Sequence, residues 1–367
     1  MNSATLKDAP RLLEQAHVAR QQGDAAALAL LAEQLLALAP QEPRVLVIKG
    51  DALTAAGDHR SAASFYGAAL ANVQAQIQAR PGATIAADLK AELEHAARMQ
   101  ANAASRFEEG LRQGLSQRGF DPSQSGSRRF AASLDLMTGR RRLYHQQPKF
   151  YLFPGLPQIE FQPRETVEWL ADIEAKTDEI RKELDAILAQ PDLFTPYVED
   201  RSNRPTSDQA GMLGNADWSA VFLWKDGREV PELAAQCPVT MHALAAAPLC
   251  RIPGRSPSVL FSKLKAGAVI PPHHGLINTR LICHLPLVVP AGSKFRVGSE
   301  IREWREGQAW AFDDTIEHEA RNDSGEDRTI LIFDVWKPEI TEAERQMICA
   351  LFETIDASGS VIPNLGV

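Results

Sequence analysis

The pair Gly23–Asp24 recurs as Gly57–Asp58, an offset of 34 positions (57 − 23). Other positions keep the same offset: Ala16 with Gly50, Leu31 with Phe65, and Leu36 with Leu70. An offset of that length is the period of a helix–turn–helix hairpin. Each Gly–Asp closes one helix and caps the next. Small residues at Ala16 and Gly50 permit the close approach of paired helices. Pro40 and Pro43 punctuate the passage between the two hairpins. The Ala- and Leu-rich text continues with helical spacing from Thr84 to Leu115 without a third match.

This segment resembles two tetratricopeptide repeats, so a helical repeat domain is expected over residues 1–118. The resemblance implies either a small groove for a protein partner or helices that support the rest of the chain or a dimer. The text from Gly119 to Arg129, GFDPSQSGSRR, reads as the start of a linker over 119–147. Residues 148–367 follow a different grammar. Short segments, Lys149–Pro154 and Ile159–Gln162, precede one amphipathic helix from about Arg164 to Gln190, with Trp169, Ile173, Ile180, Leu184 and Leu188 on its apolar face. Beyond Trp218 come short β-branched or aromatic runs: Ala220–Lys225, Val259–Leu264, Arg280–Val289, Lys294–Val297, Gln308–Phe312 and Thr329–Trp336. Runs of this length between turn residues predict an antiparallel sandwich or barrel.

The charge balance removes several functions. With 39 basic and 47 acidic residues the net charge is −8, against the basic footprint that non-specific nucleic-acid binding needs. Arg140–Arg141–Arg142 is a local exception that reads as a solvated surface run. Met1–Pro10 has no apolar run of a secretory signal, and Leu281–Val289 is far short of the ~20 residues of a membrane helix. A cytoplasmic protein is the expectation. The four cysteines, Cys237, Cys250, Cys283 and Cys349, include no C-x-x-C pair and are expected to be free, mostly buried thiols.

Four of the nine histidines lie between His273 and His318. His273 stands where a loop feeds a strand, after Pro271–Pro272. His318 follows an aromatic strand and precedes a polar turn. Two neutral imidazoles on separate strands suit iron(II). The carboxylate that usually completes such a site would stand two residues after the first histidine, where this chain has Gly275, and on spacing alone the site is incomplete. Arg328 opens the apolar strand RTILIFDVW and needs an anion. That anion is either a ligand carboxylate or a salt-bridge partner such as Asp334 or Glu326. Period-two alternation puts Arg280, Ile282 and His284 on one face of a strand, as a second site or a satisfied polar network.

At these residues the chain resembles the aspartyl/asparaginyl β-hydroxylase family of 2-oxoglutarate dioxygenases. The resembling text is PPHHGLINTRLICHLPLVVP (Pro271–Pro290), WAFDDTIEHEARND (Trp310–Asp323) and RTILIFDVWKPEIT (Arg328–Thr341), with weaker echoes at Phe150–Pro157 and Ala216–Gly227. The resemblance implies an α+β multidomain chain, in which all-α repeats precede a double-stranded β-helix of the jelly-roll, cupin-like kind over 148–367. It implies that His273 and His318 bind iron(II) without a carboxylate, and it favours His273 over His274 as the ligand. Ser262 and Arg328 would hold the distal carboxylate of 2-oxoglutarate, and His284 its keto-acid end. The chain departs from the family where an arginine is replaced by Ile282. Either iron and His284 suffice there or Arg280 substitutes, and Arg280 could equally hold an acidic substrate group. Trp218 and Trp224 line the substrate cleft or belong to the core. The implied reaction uses O₂ and assigns no side-chain general base. It β-hydroxylates an Asp- or Asn-type residue in a peptide or small molecule. Two alternatives stand beside it: a non-catalytic metal or 2-oxoglutarate sensor acting through its repeats, and hydroxylation of a lipid acyl chain.

Overall fold

The N-terminal helices form where apolar spacing and caps coincide. The computed structural model describes residues 6–80, 84–120, 128–199 and 211–358. It divides into two units, Met1–Arg141 and Arg142–Val367. The first contains α1 (Ala9–Gln22), α2 (Ala25–Leu38), α3 (Pro43–Ala55), α4 (His59–Ala79), α5 (Ala87–Gln117) and α6 (Arg128–Met137). Gly23 ends α1 in the left-handed region at φ 70°, and Asp24 then accepts a hydrogen bond from the Ala27 amide at 3.0 Å. Gly57 and Asp58 repeat the arrangement, with φ 83° and a 3.1 Å bond from the Ser61 amide. Both turns therefore require glycine, because a side chain at such a φ would be strained.

Helix α3 is buried on two sides. Val45 and Ile48 pack with Leu12, Ala16, Leu28 and Leu35 of α1 and α2, whereas Leu46 and Val47 pack with Ala62, Tyr66 and Ala96 of α4 and α5. A polar network lies between these helices. Arg20 donates to Glu92 at 2.7 Å and to Asp51 at 2.9 Å, and Asp51 also accepts from the Tyr66 hydroxyl and pairs with His95, each at 2.7 Å. The segment 119–147, expected to be a linker, carries helix α6; residues 121–127 lie outside the described residues.

The second unit begins with α7 (Leu170–Glu174) and α8 (Thr177–Leu188), a broken version of the single helix expected over 164–190. The break has a local cause. Glu174 is held by Arg164 and by the Ala309 amide, and the Thr177 hydroxyl donates to the Glu174 carbonyl at 2.6 Å, closing one helix before the next begins. The strands are β1 (Thr195–Pro196), β2 (Trp218–Lys225), β3 (Arg228–Glu229), β4 (Val259–Leu264), β5 (Val269–His273), β6 (Arg280–Val288), β7 (Ser293–Val297), β8 (Glu300–Glu303), β9 (Trp310–Phe312), β10 (His318–Asn322) and β11 (Arg328–Trp336). Short helices α9 (Pro231–Ala234) and α10 (Pro238–Leu244) fall between β3 and β4, and α11 (Glu342–Ser358) follows β11.

A seven-stranded sheet runs β1-β2-β4-β11-β6-β9 with β3 on β2, and a four-stranded sheet runs β5-β10-β7-β8; the strand pairs are antiparallel. The two sheets form the jelly roll expected from the sequence. The large sheet buries Phe261, Leu281, Cys283, Leu285, Leu331 and Phe333 under α7, α8 and α10 on one face. Its other face shares a core with the small sheet, built from Leu264, Ile330, Phe312 and Trp310 on one side and Ile270, Phe295 and Ala320 on the other. Strands β5 and β10 escaped the reading of the sequence. Strand β5 contains Pro271 and Pro272, tolerated because β5 ends the sheet and takes β10 as its neighbour. Strand β10 reads HEARN, with only Ala320 apolar among its buried positions. The short segments Lys149–Pro154 and Ile159–Gln162 contribute isolated bridges, Tyr151 to Ile277 and Phe161 to Phe312. Cys237, Cys250 and Cys283 are free and buried, and Cys349 is half-buried. Among the described residues no helix is long and apolar enough to cross a membrane.

A Cβ on Gly50 would lie 2.5 Å from the ring of Tyr66, whose hydroxyl is tied to Asp51. Helix propensity alone would make Gly50→Ala stabilising by about 1 kcal/mol. The collision reverses the sign, and we expect a net loss of about 1–3 kcal/mol in thermal unfolding of the helical unit.

Candidate iron and co-substrate site

Antiparallel register places His318, at the start of β10, directly opposite His273, at the end of β5. Their rings are 4.1 Å apart between centroids, inclined at 53°. Each ring is oriented by the same device. The Nδ1 of His273 lies 2.8 Å from the Pro271 carbonyl, and the Nδ1 of His318 lies 3.0 Å from the Ile316 carbonyl. A carbonyl only accepts, so Nδ1 carries the proton in both rings, and both Nε2 lone pairs are left for a metal. Burial lowers the pKa of His273, and burial together with His273 holds His318 well below the ordinary range. Both imidazoles are therefore neutral, as a ligand must be. The ring against His318 is that of His273, not of the neighbouring His274.

Gly275 takes the position where a carboxylate would be sought. A Cβ there would collide with the carboxyl group of Asp314, and the Gly275 amide donates to the Asp314 carbonyl at 2.6 Å. The glycine is thus required by close approach of a second chain segment. Burial raises the Asp314 carboxyl to about 6, opposed by Arg280. Sequence reasoning missed Asp314, since nothing in DDTIEH distinguishes it from its neighbour Asp313, which is taken up by the buried Lys337 ammonium at 2.6 Å.

Arg328 is 1% exposed. Its guanidinium lies 4.6 Å over the Trp304 ring, and among the described residues its Nε has no hydrogen-bond partner. Of the two salt-bridge partners open to it from sequence, Asp334 is held instead by Arg280 at 3.1 Å, and Glu326 makes no ion pair with it. Burial pushes the Arg328 pKa down to about 9. A buried cation of this kind could receive a carboxylate. Register places Ser262 of β4 opposite Ile330, two residues along from Arg328 on the same face, and the Trp218 indole donates to the Ser262 hydroxyl at 3.1 Å. On the other side of β11, His284 stands opposite Ile332. Its Nδ1 accepts a long hydrogen bond, 3.4 Å, from the Trp304 indole. An indole only donates, so the proton of His284 is on Nε2. His284 therefore has the opposite tautomer to His273 and His318: it can donate to an anion where they can ligate. Trp304, which touches both His284 and Arg328, was not singled out by the sequence.

Arg280 shares the face of Ile282 and His284, and it is engaged. It pairs with Asp334 at 3.1 Å and Asp314 at 3.5 Å. Arg280, one of the two alternatives for the arginine missing at Ile282, is thus neutralised by the chain's own carboxylates. Trp218 stacks on Tyr197 with centroids 4.0 Å apart and lies 6.1 Å from His273, while Trp224 packs against the outer core. The donors the chain brings together for a metal are two imidazoles; among the described residues no group of three or more His, Cys, Asp or Glu is arranged to hold one. Two imidazoles, a glycine in place of the carboxylate and an orphaned guanidinium fit iron(II) with a chelating dicarboxylate that supplies the remaining donors.

Gly275→Ala forces the Asp314 carboxyl group away from its place beside Arg280. We expect about 1–3 kcal/mol lower stability in denaturant unfolding, together with weaker metal binding measured by calorimetry.

A family model described as aspartyl/asparaginyl beta-hydroxylase matches residues 174–338. The human aspartyl/asparaginyl beta-hydroxylase is 33% identical over 211 residues, 56% of this chain and 26% of that protein. The ornithine lipid ester-linked acyl 2-hydroxylase of Rhizobium tropici is 32% identical over 176 residues, 47% of this chain and 59% of that protein. The chain thus spans about a quarter of the first relative's length and less than two thirds of the second's. The cupin domain of Schizosaccharomyces pombe Cnp3 overlays with a TM-score of 0.23 at 11% identity, over 36% of this chain and 72% of that one, a likeness too slight to bear on the fold. Over residues 174–338 of its β-rich unit this chain is similar to the aspartyl/asparaginyl β-hydroxylase family.

Proposed function

We propose that the β-rich unit is an iron(II)- and 2-oxoglutarate-dependent hydroxylase. The observation that carries the reading is Arg328, a buried guanidinium with no anion among the described residues, on one sheet face with Ser262 and His284. Arg328 and Ser262 would take the distal carboxylate of 2-oxoglutarate, the planar fork matching the two oxygens. The Nε2–H of His284 would donate to the keto-acid end. His273 and His318 would ligate iron through Nε2, with the Pro271 and Ile316 carbonyls holding both rings in the required tautomer. When bound, iron, the keto acid and O₂ supply the oxidation: one oxygen atom enters a C–H bond of the acceptor, the other enters succinate, and CO₂ leaves. The aromatic shell of Phe295, Trp304, Trp310 and Phe312 around His284 keeps bulk water from the co-substrate end.

The relatives' names describe a β-carbon of an aspartyl or asparaginyl residue and carbon 2 of an acyl chain. Both carbons are adjacent to a carbonyl. The acceptor position proposed here is the same, in a peptide or a small molecule, and the helical hairpins offer a surface for a protein partner.

The test is an anaerobic titration with iron(II) and 2-oxoglutarate, followed by visible absorption. We expect a charge-transfer band that requires both components, is lost in His318→Ala, and needs about ten- to a hundredfold more 2-oxoglutarate in Arg328→Ala. No band, with neither component bound, would leave the chain a non-catalytic module. A second expectation separates the guanidinium's two roles. Arg328→Met removes a buried unpaired charge, so the ligand-free variant should melt higher than the wild type, while 2-oxoglutarate, which stabilises the wild type by mass action, should no longer raise its melting temperature.

A further inference from the structure

His273 stands at a poorly bonded strand end. Pro271 and Pro272 supply no amide to the ladder, and β5 lies at the edge of the small sheet. Its pairing with β10 also shifts register between His318 and Ala320. Ladder hydrogen bonds therefore do little to fix the end of β5 against the start of β10, where the two imidazoles meet. Bonds beyond the strand ends take over that task. The Gly275 amide, donating to the Asp314 carbonyl at 2.6 Å, joins the turn after β5 to the turn before β10.

A third segment holds both turns. Between Gln146 and Tyr151 the chain crosses them: the Gln147 amide donates to the Thr315 carbonyl at 2.7 Å, the Lys149 amide to the Gly275 carbonyl at 3.0 Å, and the Phe150 amide to the Leu276 carbonyl at 2.9 Å. The Gln146 side chain repeats the bridge. Its Nε2 donates to the Asp313 carboxylate at 2.6 Å and to the Pro157 carbonyl at 3.0 Å, and its Oε1 accepts from Asn278 Nδ2 at 3.0 Å. Asp313 stands five positions before His318 (318 − 313), and Asn278 five after His273 (278 − 273). Neither partner can swing away. Asn278 is fully buried and bonds both the amide and the carbonyl of Phe153, at 2.7 and 2.9 Å. One oxygen of Asp313 accepts from the Thr315 amide and hydroxyl, the other from Lys337 and Gln146, which fills the acceptor capacity of a carboxylate.

The chemistry of position 146 is narrow. A group there has to donate to a carboxylate and accept from an amide at once, and a primary amide does both. Glutamate, when ionised, only accepts; lysine only donates; methionine has the reach and lacks the donor. We propose that Gln146–Tyr151 is a clasp that fixes the spacing of the His273 and His318 rings, and that Gln146 is a positioning residue for the metal, acting through the two turns. This role rests on the reading of those histidines as the metal pair.

Cobalt(II) alone is the probe, titrated into the full chain without 2-oxoglutarate and followed by calorimetry and by its visible ligand-field absorption. Neither readout needs turnover. We expect Gln146→Met to bind cobalt(II) about tenfold more weakly than the wild type, with an altered absorption band. Gln146→Glu, which sets a second carboxylate against Asp313, should bind more weakly still. Glu183→Ala is the control for lost stability. Glu183 fastens α10 to α8 by accepting from the Val239 and Thr240 amides and the Thr240 hydroxyl. Its removal should lower the melting temperature and leave both the cobalt affinity and the band as in the wild type. Circular dichroism establishes that each variant is folded; should Gln146→Glu fail to fold, Gln146→Met carries the comparison. Wild-type affinity and band in the Gln146 variants, or an equal loss in Glu183→Ala, would overturn the clasp alone. A wild-type chain that takes up no cobalt would instead sink the metal-pair reading, and the clasp with it.

Discussion

The pairing of β10 with β5 is the constraint on which the site depends. It sets His318 opposite His273, and a slip of one residue would turn one imidazole to the opposite face of the sheet. The register is secured from several directions. His318, Ala320 and Asn322 face inward together, and Asn322 donates to the Leu264 and Lys265 carbonyls and accepts from Ser293. Asp313 and Lys337, both fully buried, anchor the turn that leads into β10, with the Thr315 amide and hydroxyl also donating to Asp313. The proposed metal pair is therefore held by backbone register and by a polar network, not by the histidines themselves.

Charge is distributed unequally around that pair. Arg280, with two carboxyl partners, is stable without a ligand. Arg328, with none among the described residues, carries a desolvation cost that the proposed dicarboxylate would offset. A protein that leaves one buried cation uncompensated keeps a site for an anion at the expense of stability. The tautomers divide in the same way. Backbone carbonyls at Nδ1 make His273 and His318 acceptors toward a metal, while the Trp304 indole at Nδ1 makes His284 a donor toward an anion. Three histidines of one residue type thus take two chemical roles because of what stands behind each ring.

The helical unit has its own logic. Its hairpins repeat the same cap, and helix α3 is shared between two apolar clusters, so each hairpin needs its neighbour to bury its second face. The Arg20, Asp51, Glu92 and His95 network adds directional bonds between α1, α3 and α5 that apolar packing alone would leave unspecified.

Local sequence was sufficient for whatever depends on neighbours in the chain. The 34-residue offset, the Gly–Asp turns, the alternation along β6 and β11 and the position of Arg328 at the head of an apolar strand were all legible, because period and capping are local properties. Residues brought together by register were not legible. Strand β5 was hidden by its prolines and β10 by its polarity, since an edge position and a partner strand excuse both. Whether Arg328 met a carboxylate was open until Asp334 was found on Arg280, and the reason for glycine at 275 lies in Asp314, 39 positions away (314 − 275). Sequence by itself determined which groups this protein possesses and which faces of its strands they occupy. Tertiary structure alone decided which charges are paired, because pairing is a matter of distance between strands that the order of residues does not encode.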